Sequence, residues 1–311
     1  MARYLLVRLF DAVPTIFLVL TMVFFALRIL PGDPAIAALG DNARPEAIAQ
    51  FRERFGLNDP IWLQYLHFLK DMLTLDFGDS IVSRRDVGDL VLSNLPYTLE
   101  LTVAAVLIGL VFGVLAGVWA AIRRDRLPDH GFRVFSLVGY AIPDFYLGAL
   151  LLLTFSLWLG WFPINGVGVG FVDRLHHLFL PAVTLAMIKI AFLGRLTRTS
   201  LLEVMGKDFV RTARAKGARE PRVIYRHGLR NALLPLSTGL GMSVLSTLSG
   251  SVAVELVFNR PGIGRMLVEA ISSRDYPVIQ AGIVLFALFV VLVNLLMDVV
   301  YVIIDPRIRV A

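Results

Sequence analysis

The sequence predicts an all-helical integral membrane protein with six transmembrane helices. Three observations carry that prediction. Hydrophobic residues fill 57% of the 311 positions and charged residues only 17%, with a mean hydropathy of +0.73. A soluble domain is about 45–50% apolar and about 25% charged. Six runs reach or approach the roughly 20 apolar residues that a helix needs to cross a bilayer core. The basic residues gather on one side of those runs, as membrane topology requires. The same composition excludes one water-facing domain, whose surface needs polar cover, and a disordered chain, which needs low hydrophobicity. Cysteine is absent, which excludes disulfides, thiol nucleophiles and Cys-ligated metal centres.

The first span covers about 9–30, uncharged from Ala12 to Leu27. Arg3 and Arg8 precede it as in a signal peptide. The run is too long for one, however, and ends in Arg28-Ile29-Leu30-Pro31 without a small-residue cleavage site. The second span is 101–122, 22 uncharged residues with Gly109, Gly113 and Gly117 four apart on one face, where another helix can approach closely. The third is about 134–161, interrupted by Asp144 just after Pro143. The fourth, about 178–197, contains Lys189 and is the weakest of the six. The fifth, 232–254, is uncharged and rich in hydroxyls: Ser237, Thr238, Ser243, Ser246, Thr247, Ser249 and Ser251. Such residues suit helix packing or the lining of a mildly polar pathway. The sixth runs from Tyr276 to about 302, with Asp298 near its end. Pro143, Pro181 and Pro235 are expected to break or kink their spans.

Charge sets the orientation. The N-terminus, the 123–133 loop, the 195–230 loop and the C-terminal tail carry two, four, ten and two Lys or Arg. The short loops 162–177 and 255–275, on the other side, carry one and three. Both termini are therefore expected in the cytoplasm. The +6 net charge then follows from topology and calls for no nucleic acid. The long 31–94 segment falls outside, with amphipathic helices expected over 44–55, after Asp41-Asn42, and 62–75.

Several chemistries are missing. No GxxxxGK[ST] loop is present; the single Gly-Lys, Gly206-Lys207, is followed by Asp208 and lacks the earlier glycine. No HExxH, GxSxG or carboxylate dyad appears, so no residue is assigned as catalytic. The pair His176-His177 does not read as a metal site, because neighbours on a helix do not face each other. Asp144 and Lys189 are charges within spans, which are costly and often functional, yet too few for a proton relay.

The 195–230 loop, with ten Lys or Arg against three Asp or Glu, reads as helix, turn, helix. Asp208-Phe209-Val210-Arg211-Thr212-Ala213-Arg214-Ala215-Lys216-Gly217 opens it, and Ala213 and Gly217, four apart, are expected to make a flat helix face for a partner's groove. Lipid headgroups would attract a basic loop without needing that order.

Together, several motifs resemble the membrane permease subunits of ABC importers for dipeptides, oligopeptides and nickel, along essentially the whole chain. They are Pro31-Gly32-Asp33-Pro34, Leu75-Asp76-Phe77-Gly78, the 208–217 stretch and Leu229-Arg230-Asn231-Ala232-Leu233-Leu234-Pro235. Phe258-Asn259-Arg260-Pro261-Gly262-Ile263-Gly264-Arg265, Arg274-Asp275-Tyr276-Pro277-Val278-Ile279-Gln280 and Asp305-Pro306-Arg307 continue the match. In the general coupling motif, which begins Glu-Ala-Ala, Ala213 and Gly217 match while Arg211 and Thr212 replace the first two positions. The peptide and nickel branch shows the same departure.

The resemblance implies a type I importer permease fold and no cofactor in this chain, with ATP and magnesium held by partner subunits. The implied partners are a second permease, two cytosolic ATPases, an external substrate-binding protein and membrane lipid. It implies a bacterial inner-membrane location, with ATPase coupling at Asp208, Arg211, Ala213, Arg214, Lys216 and Gly217. Pathway lining is assigned to Asp144, Ser243, Ser246, Thr247 and Ser249. Contact with the binding protein is assigned to Asp76, Arg260, Pro261, Gly262 and Arg265. Peptide is the expected substrate, with nickel, a nickel chelate or glutathione as alternatives. An ion-driven secondary transporter would want internal repeats and mid-membrane acids, which the sequence does not offer.

Overall fold

The structure is a computed structural model that describes residues 2–29, 34–40, 43–54 and 56–304. The motif residues Pro31-Gly32-Asp33, the start signal Asp41-Asn42 and the Asp305-Pro306-Arg307 ending lie outside the described residues. The regular secondary structure of the described residues is helical apart from one isolated antiparallel bridge, between Asp79 and Asp86.

In order, the helices are α1 (Ala2–Ile29), α2 (Pro34–Leu39), α3 (Pro45–Arg54), α4 (Ile61–Thr74), α5 (Val87–Ile122), α6 (Leu127–Ala141) and α7 (Asp144–Leu151). There follow α8 (Phe171–Met205), α9 (Asp208–Ala215), α10 (Glu220–Arg222), α11 (Arg230–Val257), α12 (Ile263–Ser273) and α13 (Tyr276–Ile304). Wider π-type turns continue α7 over Leu152–Trp158 and join α10 to α11 over Val223–Leu229.

Among the described residues, five helices are long and apolar enough to cross a membrane: Phe10–Ile29 within α1, α5, α8, Pro235–Val257 within α11, and Tyr276–Val300 within α13. The third expected span, about 134–161, is interrupted: α6 and the α7 segment that cover it meet at a 103° bend. The cause is Pro143. Its ring pushes the preceding residue out of the helical region, and Ile142 sits at φ −89°, ψ 122°. Pro181 and Pro235, by contrast, lie inside continuous helices.

Two helices outrun their expected bounds. The second span begins at Val87 instead of residue 101, because Asp86 Oδ1 accepts the Asp89 N–H at 2.8 Å and caps the N-terminus. The fourth runs from Phe171 to Met205, so the basic loop proper starts at Gly206. In the 31–94 segment, α3 and α4 fall within one residue of the expected helices.

The chain divides into two compact units, Met1–Tyr97 with Pro261–Leu292, and Thr98–Arg260 with Val293–Ala311. In the first, Val23, Leu27, Val87, Val91, Met266 and Ile279 form one apolar cluster, and Leu20, Phe24, Phe68, Met72 and Val284 another. Buried Asp275, between α12 and α13, accepts Ser80 Oγ at 2.5 Å and the Ile81 N–H at 3.1 Å, which fixes the loop before α5.

In the second unit, Leu101, Leu185, Val254 and Phe258 anchor the core. The glycine stripe sits where α5 meets α8. A β-carbon on Gly109 would lie 2.4 Å from Lys189 Cβ, and one on Gly117 2.4 Å from the Gly194 carbonyl oxygen. The stripe is what lets the two helices touch.

Candidate functional site

The loop assigned to ATPase coupling is built from α9 and the turn after it. Lys207 is extended at the helix entry, and Asp208 in the first turn and Arg214 in the last complement the helix dipole. Val210 is fully buried and pins the helix, while Asp208 and Arg211 stand in solvent, joined at 3.3 Å. Arg214, Lys216 and Gly217 are exposed and Ala213 is half-buried.

The expected flat face over Ala213 and Gly217 does not form. The helix ends at Ala215, and Gly217 adopts φ +80° in the left-handed region that stops it. A β-carbon there would meet nothing within 4 Å, so backbone conformation, not space, asks for glycine. Arg214 then forks onto Glu220 at 2.6 and 3.2 Å and clasps the two arms of the turn. That hydrogen bond holds the Glu220 carboxyl below the usual glutamate range.

The residues assigned to the pathway separate into two groups. Ser243 and Thr247 are buried, and their hydroxyls donate to the Gly239 and Ser243 carbonyls of their own helix at 2.8 and 2.6 Å. Committed in this way to helix packing, they line no open surface. Ser249 is exposed. Ser246 accepts the Lys189 ammonium at 2.7 Å. Asp144, at the break after Pro143, places Oδ2 where a β-carbon on Gly250 would stand 2.7 Å away, and leaves Oδ1 buried without a hydrogen-bond partner.

The residues assigned to binding-protein contact separate too. Arg260 is only 1% exposed and donates to Glu100 Oε2 at 2.8 Å, so it is an internal residue and not a surface contact. Gly262 is buried as well, while Pro261 and Arg265 are half-buried and Arg265 holds Glu269 at 2.6 Å. Asp76 is exposed and borders a cavity of about 320 Å³ in the first unit, beside Gln64, His67, Asp71 and Gln280. Burial, with Asp76 nearby, raises the Asp71 carboxyl above its ordinary value.

Sequence reasoning missed three acids that hold internal contacts: half-buried Glu100 within α5, and buried Glu255 and Asp129 near the end of α11 and the start of α6. Glu100 takes Arg260 and Arg174, Glu255 takes the Thr98 hydroxyl at 2.7 Å, and Asp129 takes Arg198. Glu100 and Glu255 abut the apolar runs that define two spans, and that position was the available signal. His176 and His177 bond the backbone oxygens of Trp161 and Asp173 at 2.8 and 2.9 Å. Among the described residues no group of three His, Asp or Glu is placed to hold a metal.

Residues 113–310 match the family described as the binding-protein-dependent transport system inner membrane component, and residues 1–102 match its N-terminal companion family. The chain is 42% identical over 309 residues to the glutathione transport system permease protein GsiC of Escherichia coli strain K12, covering 99% of each chain. The protein of the same name from Salmonella choleraesuis matches equally, at 42% and 99% of each chain. Among solved structures, the inward-facing MetNI methionine ABC transporter superposes with a TM-score of 0.58 at 18% identity, covering 70% of this chain and 96% of that one. An amino acid ABC transporter with histidines gives 0.54 at 15% identity, covering 69% and 94%. At these identities the structural likeness is one of fold, that of type I importer permeases.

Proposed function

Since the chain belongs to the binding-protein-dependent transport permeases, the non-enzymatic membrane subunits of ABC importers, we propose that it forms half of a pathway for di- and oligopeptides. Glutathione, itself a tripeptide, falls within that class. The observation that carries the substrate reading is the 42% identity, end to end, to permeases named for glutathione transport.

In this reading a second permease completes the pathway and an external binding protein delivers the substrate. Two cytosolic ATPases hold ATP and magnesium and dock on the loop within 198–231, chiefly at Asp208, Arg211, Ala213, Arg214, Lys216 and Gly217. The exposed charged face of α9 and its firm anchor at Val210 support that assignment. The basic loops support cytoplasmic termini and an external 31–94 segment. Closure of the ATPase pair pushes the docked helices, and the pathway switches its opening from one side to the other.

The test is ATP-driven uptake by the complete importer in proteoliposomes. Uptake of labelled dipeptide or glutathione that depends on both ATP and the binding protein is expected. Uptake of nickel with none of either peptide overturns the substrate reading.

A further inference from the structure

Asp144 and Lys189 are opposite charges in the second unit that do not neutralise each other. Each lies within electrostatic reach of the other, yet no ion pair joins them. Lys189 is buried on α8 and donates its ammonium to Ser246 Oγ. Asp144 stands at the broken helix with Oδ1 buried and unbonded. A buried carboxylate oxygen without a donor carries a free-energy cost, and such exceptions ask for a group that completes them. Ionisable residues within spans mark sites by default, and broken membrane helices build such sites at the bilayer midplane.

The surroundings are shaped around the pair. A β-carbon on Gly109 would clash with Lys189 Cβ, and one on Gly250 would lie 2.7 Å from Asp144 Oδ2. Ser246 lies with Ser249 and Met242 on the side of α11 that this chain leaves exposed, so the ammonium is one hydroxyl away from an open face.

We propose that Asp144 and Lys189 are a two-point contact for a substrate bearing both charges, with Lys189 and Ser246 taking a carboxylate and Asp144 an ammonium. The inference rests on the permease reading above and narrows its substrate class to molecules with a free amine and a free acid. Fixed, separated charges replace the hydration that such a substrate loses on entering the membrane. A bare divalent cation would meet the Lys189 ammonium as a like charge.

The test uses the complete importer in proteoliposomes and a dipeptide that the binding protein accepts in three forms. These are free at both ends, amidated at the carboxyl end, and acetylated at the amino end. The binding protein is common to all variants, so its own preference cancels when a variant's uptake ratios are divided by those of the wild type. Lys189→Gln is expected to cut the free-acid-to-amide ratio at least fivefold and keep the free-amine-to-acetyl ratio within twofold. Asp144→Asn is expected to do the converse. Both ratios within twofold of wild type in both variants, with uptake merely reduced, overturn the inference.

Where a neutral variant fails to assemble, Ser246→Ala decides. It keeps both charges and removes the hydroxyl, so the acid-to-amide ratio falls at least threefold; an unchanged ratio overturns the inference. A wild-type importer that takes up none of the three forms defeats the peptide reading and the inference with it. Failure confined to the variants defeats the inference alone.

Discussion

Asp129 of α6 and Arg198 of α8 meet in a two-pronged contact, with Arg198 Nε and Nη2 donating to the two carboxylate oxygens at 2.5 and 2.8 Å. The Asp129 carboxylate is fully buried, and it also accepts the Asp125 N–H at 2.9 Å, which holds the tight 123–126 turn. One carboxylate thus joins two helices and a loop. Removing one partner of a buried pair strands the other charge at a cost of about 3 kcal/mol. Asp129→Asn is therefore expected to lower the melting temperature in detergent and to speed tryptic cleavage at Arg123 or Arg124. Arg198→Lys keeps the charge but loses the fork, and should fall between. Wild-type melting and cleavage in Asp129→Asn would refute the joint.

Gly217 occupies the left-handed region with open space around it. A bulky β-branched residue costs about 1–2 kcal/mol there through backbone strain, little against a whole permease. Gly217→Val is expected to insert and melt normally, yet to hydrolyse ATP without matching uptake, because the turn is rebuilt at the docking surface. Gly217→Asn tolerates the conformation and should retain most coupling. Normal uptake by the valine variant would remove Gly217 from the docking surface.

The Arg214–Glu220 clasp gives the same loop a pH dependence. Arg214 lowers the Glu220 carboxyl, so its contribution is present above the unfolded glutamate value of about 4.3. It is lost as pH falls through the lower folded value. Both side chains are substantially exposed, and solvent screening limits the pair to about 0.5 kcal/mol. Spin labels on either side of the turn should report more motion in Glu220→Gln than in wild type at pH 7. The two proteins should converge only once acidification has passed the lowered Glu220 value. A gap that persists at low pH would show that the ion pair is not its source.

Asp275 fixes the loop before α5 through Ser80, Ile81 and Val82. Hydrogen bonds to a charged acceptor are each worth about 1.5–3 kcal/mol. Asp275→Ala is expected to expose the bond after Arg84 or Arg85 to trypsin at least tenfold faster, with Asp275→Asn intermediate. Cleavage in the alanine variant at the wild-type rate would mean that other contacts hold the loop.

The spans were legible because lipid-facing helices are written locally: twenty apolar residues in a row have few other uses. Pro143 announced the break by the same local logic. The extensions of α5 to Val87 and of α8 to Met205 were hidden, since those turns mix polar and apolar residues and carry no hydropathy signal. Asp86, a helix cap followed by Asp89, was the cue available. The helix within 208–217 is legible to within two residues, but the spacing of Ala213 and Gly217 suggests a packing face where Gly217 is a stop signal. Arg260 was read as exposed because arginine usually is; the acid that buries it lies 160 positions away. Contacts of that kind, like Lys189 with Ser246, exist only after the helices pack.

Lys189 also bears on how the chain is made. A lysine at mid-helix adds about 2.5–3.5 kcal/mol to the cost of inserting a span, and its hydroxyl partner lies 57 residues further along. Ribosomal synthesis runs from the N-terminus, so Lys189 is made before Ser246. Until α11 follows, the ammonium lacks this hydroxyl and can only reach along its own stem toward the interface. The final setting of the Lys189 side chain therefore waits for a helix made after its own.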